Sequence, residues 1–131
     1  MAITGMNHFT ILTDDVEATR EFYCTLLDLT VGWRPNFNFP GLWLYAGGVP
    51  ILHVIGGKAK ADLKAGVIDH MAFSATDLPG TAKHLTERGI AYDLRRLANT
   101  ADGQWQLFFN DPNGARVEFD FAASEAAPAR P

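Results

Sequence analysis

The chain is poor in cysteine, carries little net charge and contains no long apolar run. Its single cysteine, Cys24, excludes an intrachain disulfide, so a reducing cytoplasm is the expected setting. Cys24 falls inside a helical pattern and reads as a small buried hydrophobe. The formal net charge of -4 offers no basic patch, which argues against nucleic acid and anionic membrane surfaces as partners. No segment approaches the ~20 apolar residues that a membrane span needs. The N-terminus has no basic region followed by an apolar stretch, so no secretion signal is expected.

What is present suits a compact soluble domain. The 131 residues are 47% apolar and 20% charged, enough to bury a core. Residues 1–121 read as one domain built from two modules, 5–56 and 67–121, joined by a polar linker at 57–66. The last ten residues, 122–131, are rich in Ala and Pro and read as a flexible tail.

The modules emerge from a weak internal repeat. The shift that lays His8 on His70 also lays Ile11 on Phe73, Asp15 on Asp77, Val16 on Leu78 and Thr19 on Thr81. A shift three positions longer lays His53 on Glu118, with Trp43-Leu44 over Phe108-Phe109. Each module therefore supplies a His on its first strand and a metal-capable side chain on its last.

Local patterns give the elements. Residues 6–13 alternate, with Phe9 and Ile11 on one side and His8, Thr10 and Leu12 on the other, as a strand requires. Asp14-Asp15 offers a helix N-cap, and Val16, Thr19, Phe22, Tyr23, Leu26 and Leu27 follow at helical spacing. The two prolines of segment 35–41 exclude a helix or a central strand there. Gly47-Gly48 sits between two apolar runs and predicts a hairpin. In module two, Asp77 is the expected N-cap, Pro79 lies in the first turn and Gly89 follows the helix end. The turn Asp111-Pro112-Asn113-Gly114 then opens a last strand. Alternation puts Arg116, Glu118 and Asp120 on one of its faces, with Val117, Phe119 and Phe121 on the other.

Four side chains carry the chemistry: His8, His53, His70 and Glu118. Three imidazoles and a carboxylate around one centre suit Zn, Ni, Fe or Mn, and the donor set does not choose among them. The remaining histidine, His84, maps onto Phe22 and reads as a surface or packing residue.

The motifs resemble those of the vicinal oxygen chelate superfamily, which groups glyoxalase I, extradiol dioxygenases, fosfomycin-modifying enzymes and bleomycin-binding proteins. They are Met6-Asn7-His8-Phe9-Thr10, then Phe22-Tyr23 with Leu26-Leu27-Asp28-Leu29, then Asp69-His70, and finally the stretch from Phe109 through Asn110-Asp111-Pro112-Asn113-Gly114 to Glu118. The resemblance implies an α+β fold in which two βαβββ modules form a curved eight-stranded mixed sheet around a divalent metal. It implies metal ligands at His8, His70 and Glu118, with a more variable fourth position at His53. Bleomycin-binding members lack this set, so the resemblance favours the catalytic branches.

Departures from each branch narrow the choice. Glyoxalase I usually has Glu where His53 stands. Extradiol and fosfomycin-modifying enzymes usually carry a tyrosine where this chain has Phe108. The expected function is a metal-dependent enzyme that chelates adjacent oxygens of a small substrate, with the ion as Lewis acid. A glyoxalase-type lyase or isomerase leads. The alternatives are a single-domain ring-cleaving dioxygenase and a non-enzymatic binding protein of the bleomycin-resistance type, walled by Phe37, Phe39, Trp43, Tyr45 and Trp105. Glu118 is the expected proton shuttle, and His53 is either a ligand or an acid–base residue. The resemblance and the open sheet edges also imply a homodimer, with the site built within one chain or across two.

Overall fold

The computed structural model describes every residue except Ile3, Val67, Arg130 and Pro131. The chain divides into two compact units, Met1–Lys64 and Ala65–Pro131. In the first, β1 (Phe9–Leu12) leads to α1 (Val16–Leu26), followed by β2 (Thr30–Gly32), β3 (Gly41–Ala46) and β4 (Val49–Ile55). In the second, β5 (Met71–Ser74) leads to α2 (Leu78–Glu87), then β6 (Asp93–Arg96), β7 (Trp105–Asn110) and β8 (Arg116–Phe121). Each unit is thus a βαβββ module, and the fold is α+β. The eight strands hydrogen-bond as two mixed four-stranded sheets, ordered β1-β4-β3-β2 and β5-β8-β7-β6.

The first strand of each module pairs in parallel with its last, which is what carries the repeat into three dimensions. Thr10 lies opposite His53 in β4, and Ala72 lies opposite Glu118 in β8. Antiparallel pairing then sets His53 against Trp43 and Glu118 against Phe108. Because side chains alternate across a strand, Leu52 and Val54 flank His53 on the opposite face. They are buried with Ile11, Leu44 and the α1 residues Phe22, Tyr23 and Leu26. In the second unit the apolar face holds Met71, Leu107, Phe109, Val117, Phe119 and Phe121. Edge-to-face contacts link Phe119 with Phe73, Phe109 and Phe121.

The local signals act as their chemistry requires. Asp15 and Asp77 cap the two helices by accepting from Ala18 N and Gly80 N at 3.0 and 3.1 Å. Gly47 and Gly48 both adopt positive φ, 56° and 80°, in the β3–β4 hairpin, as a type I′ turn demands. Asp111 organises its turn from a buried position, its Oδ1 accepting from Asn113 N at 2.8 Å and Ala115 N at 2.7 Å.

Three expectations change. His8 and His70 lie one residue before their strands rather than within them. The ladders begin at Phe9 and Met71, so these imidazoles hang from strand entrances. Cys24 is only partly buried. The start of the C-terminal segment is pinned, not frayed. The Glu125 carboxylate accepts from the backbone N–H groups of Asp77 and Leu78 at 3.0 and 2.6 Å, the Glu125 carbonyl accepts from Trp105 Nε1, and the Ala123 carbonyl accepts from Arg96. The end of the expected tail, Arg130 and Pro131, lies outside the described residues, as does Val67 at the expected start of module two.

Candidate metal centre

Among the described residues no three His, Cys, Asp or Glu side chains gather at metal-binding spacing. Each unit instead presents a pair of the four expected ligands, built in the same way.

In the first unit the His8 and His53 rings stack, with centroids 3.7 Å apart and planes at 16°. Trp43, cross-strand neighbour of His53, covers the other face of the His53 ring at 4.0 Å and 7°. His53 is therefore sandwiched and cannot rotate. Burial lowers its pKa first, the His8 imidazole lowers it further, and a hydrogen bond to the Pro50 backbone partly opposes both. Among the described residues His53 Nε2 is buried without a hydrogen-bond partner.

In the second unit His70 Nε2 stands 3.1 Å from Glu118 Oε1. Glu118 is 6% exposed, and Gln106 Nε2 approaches its second oxygen at 3.4 Å. Two donors on one ion at ~2.1 Å lie about 3.0–3.4 Å apart for octahedral to tetrahedral angles, so the observed spacing suits a shared ion. Arg116, which shares the face of Glu118, turns away to Asp93 at 3.5 Å, and it is Gln106 that reaches Glu118.

The two units also share an outer shell that spacing alone did not reveal. His8 Nδ1 is 2.7 Å from Asn7 Oδ1, and His70 Nδ1 is 2.8 Å from Asp69 Oδ2. A partner on Nδ1 fixes the ring's orientation and presents Nε2 on its far side, toward Glu118 in the case of His70. Asn7 and Asp69 are equivalent under the shift that relates His8 to His70, which was the available signal.

Asp120 is a second group that residue-by-residue reading did not assign. It sits two residues beyond Glu118 on the same face of β8. Its Oδ1 is buried without a partner. Burial, and then the Glu118 carboxylate, push its pKa up to about 7, while His70 pulls the other way.

The proposed aromatic walls divide. Phe37 and Phe39 stack at 4.9 Å, and Phe37 and Trp33 both approach Trp43. Tyr45 donates from its hydroxyl to the Trp33 carbonyl at 2.6 Å. Trp105 is not part of any wall beside Glu118. It pairs with Phe121, in register with the apolar face of its sheet, and Arg96 lies 3.7 Å over its ring.

A family model for the Glyoxalase/Bleomycin resistance protein/Dioxygenase superfamily matches residues 5–119. The chain is 31% identical over 122 residues to the Arabidopsis thaliana protein Glyoxylase I 4, covering 88% of this chain and 70% of that one. It is also similar to a glyoxalase family protein from Enterococcus faecalis, at 26% identity and TM-score 0.68, covering 92% of this chain and 99% of that one. The fosfomycin resistance protein FosX from Listeria monocytogenes, in complex with Mn(II) and 1S,2S-dihydroxypropylphosphonic acid, shares the fold at TM-score 0.76. Its identity is 14%, with 92% of this chain and 94% of that chain covered. The chain belongs to the Glyoxalase/Bleomycin resistance protein/Dioxygenase superfamily. No helix among the described residues is long and apolar enough to cross a membrane.

Proposed function

We propose that this protein is a metal-dependent enzyme of glyoxalase type, a lyase or isomerase acting on a small substrate with adjacent oxygens. His8, His53, His70 and Glu118 would hold one divalent ion, in a homodimer. The observation that carries the reading is the placement of the three imidazoles. His8 and His70 are each held through Nδ1, by Asn7 and Asp69, His70 Nε2 faces the Glu118 carboxylate at 3.1 Å, and His53 Nε2 is buried without a hydrogen-bond partner. The orphaned Nε2 of His53 is the clearest case, because a buried ring nitrogen without a hydrogen-bond partner is costly and coordination to a cation would satisfy it. The 31% identity to Glyoxylase I 4 supports the glyoxalase branch, and Mn(II) in FosX supports a divalent ion in this fold.

A bound divalent ion would polarise the substrate oxygens as a Lewis acid. The chain's own groups do the rest. Glu118 is the candidate base, already oriented by Gln106 and facing His70. Asp120, beside it, has its pKa raised to about 7 in the metal-free chain, so it can exchange a proton with that carboxylate near neutral pH. Trp43 holds His53 in one orientation and shields it from water.

Metal analysis of the purified chain tests the reading. Zn or Ni bound at one ion per chain supports the isomerase. Fe or Mn with oxygen-dependent ring cleavage would move it to the dioxygenase branch. Failure to take up any of these ions, with His70→Ala indistinguishable from the parent, would leave a binding protein.

A further inference from the structure

The face of the second sheet that carries Glu118 also carries two arginines, and the register explains how they meet. Residues paired across strands point to the same side of a sheet. One row runs Asp93, Phe108, Glu118, Ala72. The neighbouring row runs Arg95, Gln106, Asp120, Ser74, and on the other side Asn110 faces Arg116. Arg95 and Arg116 thus start from rows on either side of Phe108 and share its face. Both fold over the same ring: the guanidinium carbons lie 4.5 Å (Arg95) and 4.9 Å (Arg116) from the Phe108 centroid. The His70 ring meets that phenyl edge-on, at 5.8 Å and 82°.

Stacking occupies the flat face of a guanidinium and leaves its five N–H donors directed outward in the plane. Arg95 has no hydrogen bond or ion pair within the described residues, and its guanidinium lies over Phe108. Arg116 has a single long approach, 3.5 Å to Asp93, whose side chain is 81% exposed. Two positioned forks therefore stand one phenyl ring away from His70, with most of their donors unused. Such forks match an oxyanion, which accepts two parallel N–H bonds per guanidinium.

We infer that Arg95 and Arg116, set on Phe108, form a subsite for an anionic oxygen group of the substrate, a carboxylate or a phosphonate. It lies beside the end of the site where His70 and Glu118 act. This rests on the reading of those two residues as the reacting end. It deepens that reading by making the substrate an acid whose charged group lies to one side of its adjacent oxygens. Phe108, which stands where related enzymes place a tyrosine, then serves as the platform that holds both arginines.

The test is an NMR titration of the full chain, metal-free so that no ion at Glu118 can hold the anion itself. Acetate and methylphosphonate serve as separate probes, read on the arginine Nε–H signals. Saturable shifts at Arg95 and Arg116 are expected with at least one probe, and the tighter probe identifies the carboxylate or the phosphonate. Arg95→Gln and Arg116→Gln should each weaken that binding about tenfold, the effect of losing one charge-assisted contact at an open site. Lys83→Gln, on the exposed side of α2, should leave it unchanged. The same spectra report whether each variant is folded. No saturable shift with either probe, or equal weakening in Lys83→Gln, overturns the subsite. Metal uptake measured on the same samples separates the two readings. Uptake without anion binding defeats the subsite alone, and anion binding without uptake defeats the metal enzyme alone.

Discussion

His70 Nε2 lies 3.1 Å from Glu118 Oε1, while His70 Nδ1 is held 2.8 Å from Asp69 Oδ2. One imidazole thus joins a buried carboxylate to an exposed one. The buried end has the spacing of two ligands, and the exposed end fixes the orientation of the ring. Asp69→Ala should therefore lower divalent-metal affinity about 10–100-fold, the usual cost of removing an orienting partner from a ligating histidine. Glu118→Gln should cost more, because it removes a ligand and leaves the fold intact. Calorimetric titration with Zn and Mn checks the order. Equal affinities for the parent and Glu118→Gln would remove Glu118 from the metal site.

His53 offers a sharper division between roles. It is stacked between His8 and Trp43, and its Nε2 has no protein partner. As a ligand, its replacement in His53→Ala should reduce metal content and turnover together. As an acid–base group beside a three-ligand ion, the same change should keep metal content and lower the rate by about 10²–10⁴. The orphaned Nε2 favours the first outcome. Unchanged metal content with unchanged activity would take His53 out of the chemistry.

The pinned start of the C-terminal segment gives a stability prediction. Glu125 accepts two backbone N–H groups at the start of α2, where Asp77 has a positive φ of 68°. Helix N-termini leave several N–H groups without intrahelical partners. Glu125→Ala strands two of them and should cost about 1–2 kcal/mol. Urea denaturation reads this directly. A midpoint equal to that of the parent would mean that water replaces the carboxylate without loss.

How much of this was legible depended on whether the signal was local. Alternation along β8 put Glu118 with Arg116 and Asp120, and side-chain chemistry marked Asp15, Asp77, Gly47 and Gly48 for their caps and turn. The repeat-equivalent histidines gave the candidate ligands, although strand pairing begins one residue after His8 and after His70. What depends on cross-strand register was hidden, because a strand's own sequence does not say which residue lies opposite. Gln106 reaches Glu118 only because β7 and β8 pair as they do, and Arg116 finds Asp93 and Phe108 rather than Glu118 for the same reason. The tie from Glu125 to α2 joins residues far apart in the chain, and composition alone suggested a loose end there.

Asp120 predicts a pH dependence. Its pKa rises from 3.8 to about 7, chiefly by burial and then by the neighbouring Glu118 carboxylate. A raised carboxyl pKa means that the folded chain holds a proton that the unfolded chain has released. The associated stability is fully present below about pH 4 and is lost as pH rises through about 7. In the metal-free protein, Asp120→Asn should flatten this part of the profile, most visibly between pH 4 and 7. Thermal unfolding in chelator across that window measures it. Parallel profiles for parent and variant would show that Asp120 ionises freely in the folded chain.

The assembly prediction follows from the division of the ligands, His8 and His53 in one module and His70 and Glu118 in the other. Light scattering should find a dimer at micromolar concentration. Mixed dimers of a His8→Ala chain with a Glu118→Ala chain then discriminate between two constructions. If each site lies within one chain, both sites of the mixed dimer are damaged and metal binding is lost. If each site takes one module from each chain, one site collects both substitutions and the other collects none. Half of the high-affinity metal sites should then return, with the affinity of the parent. Differently tagged chains, purified in tandem and titrated with Zn, give the stoichiometry. A value of one half requires a site shared between protomers, and zero requires a site within the chain. A stoichiometry of one would show that neither His8 nor Glu118 is needed to bind the ion, and the four-ligand assignment would fall.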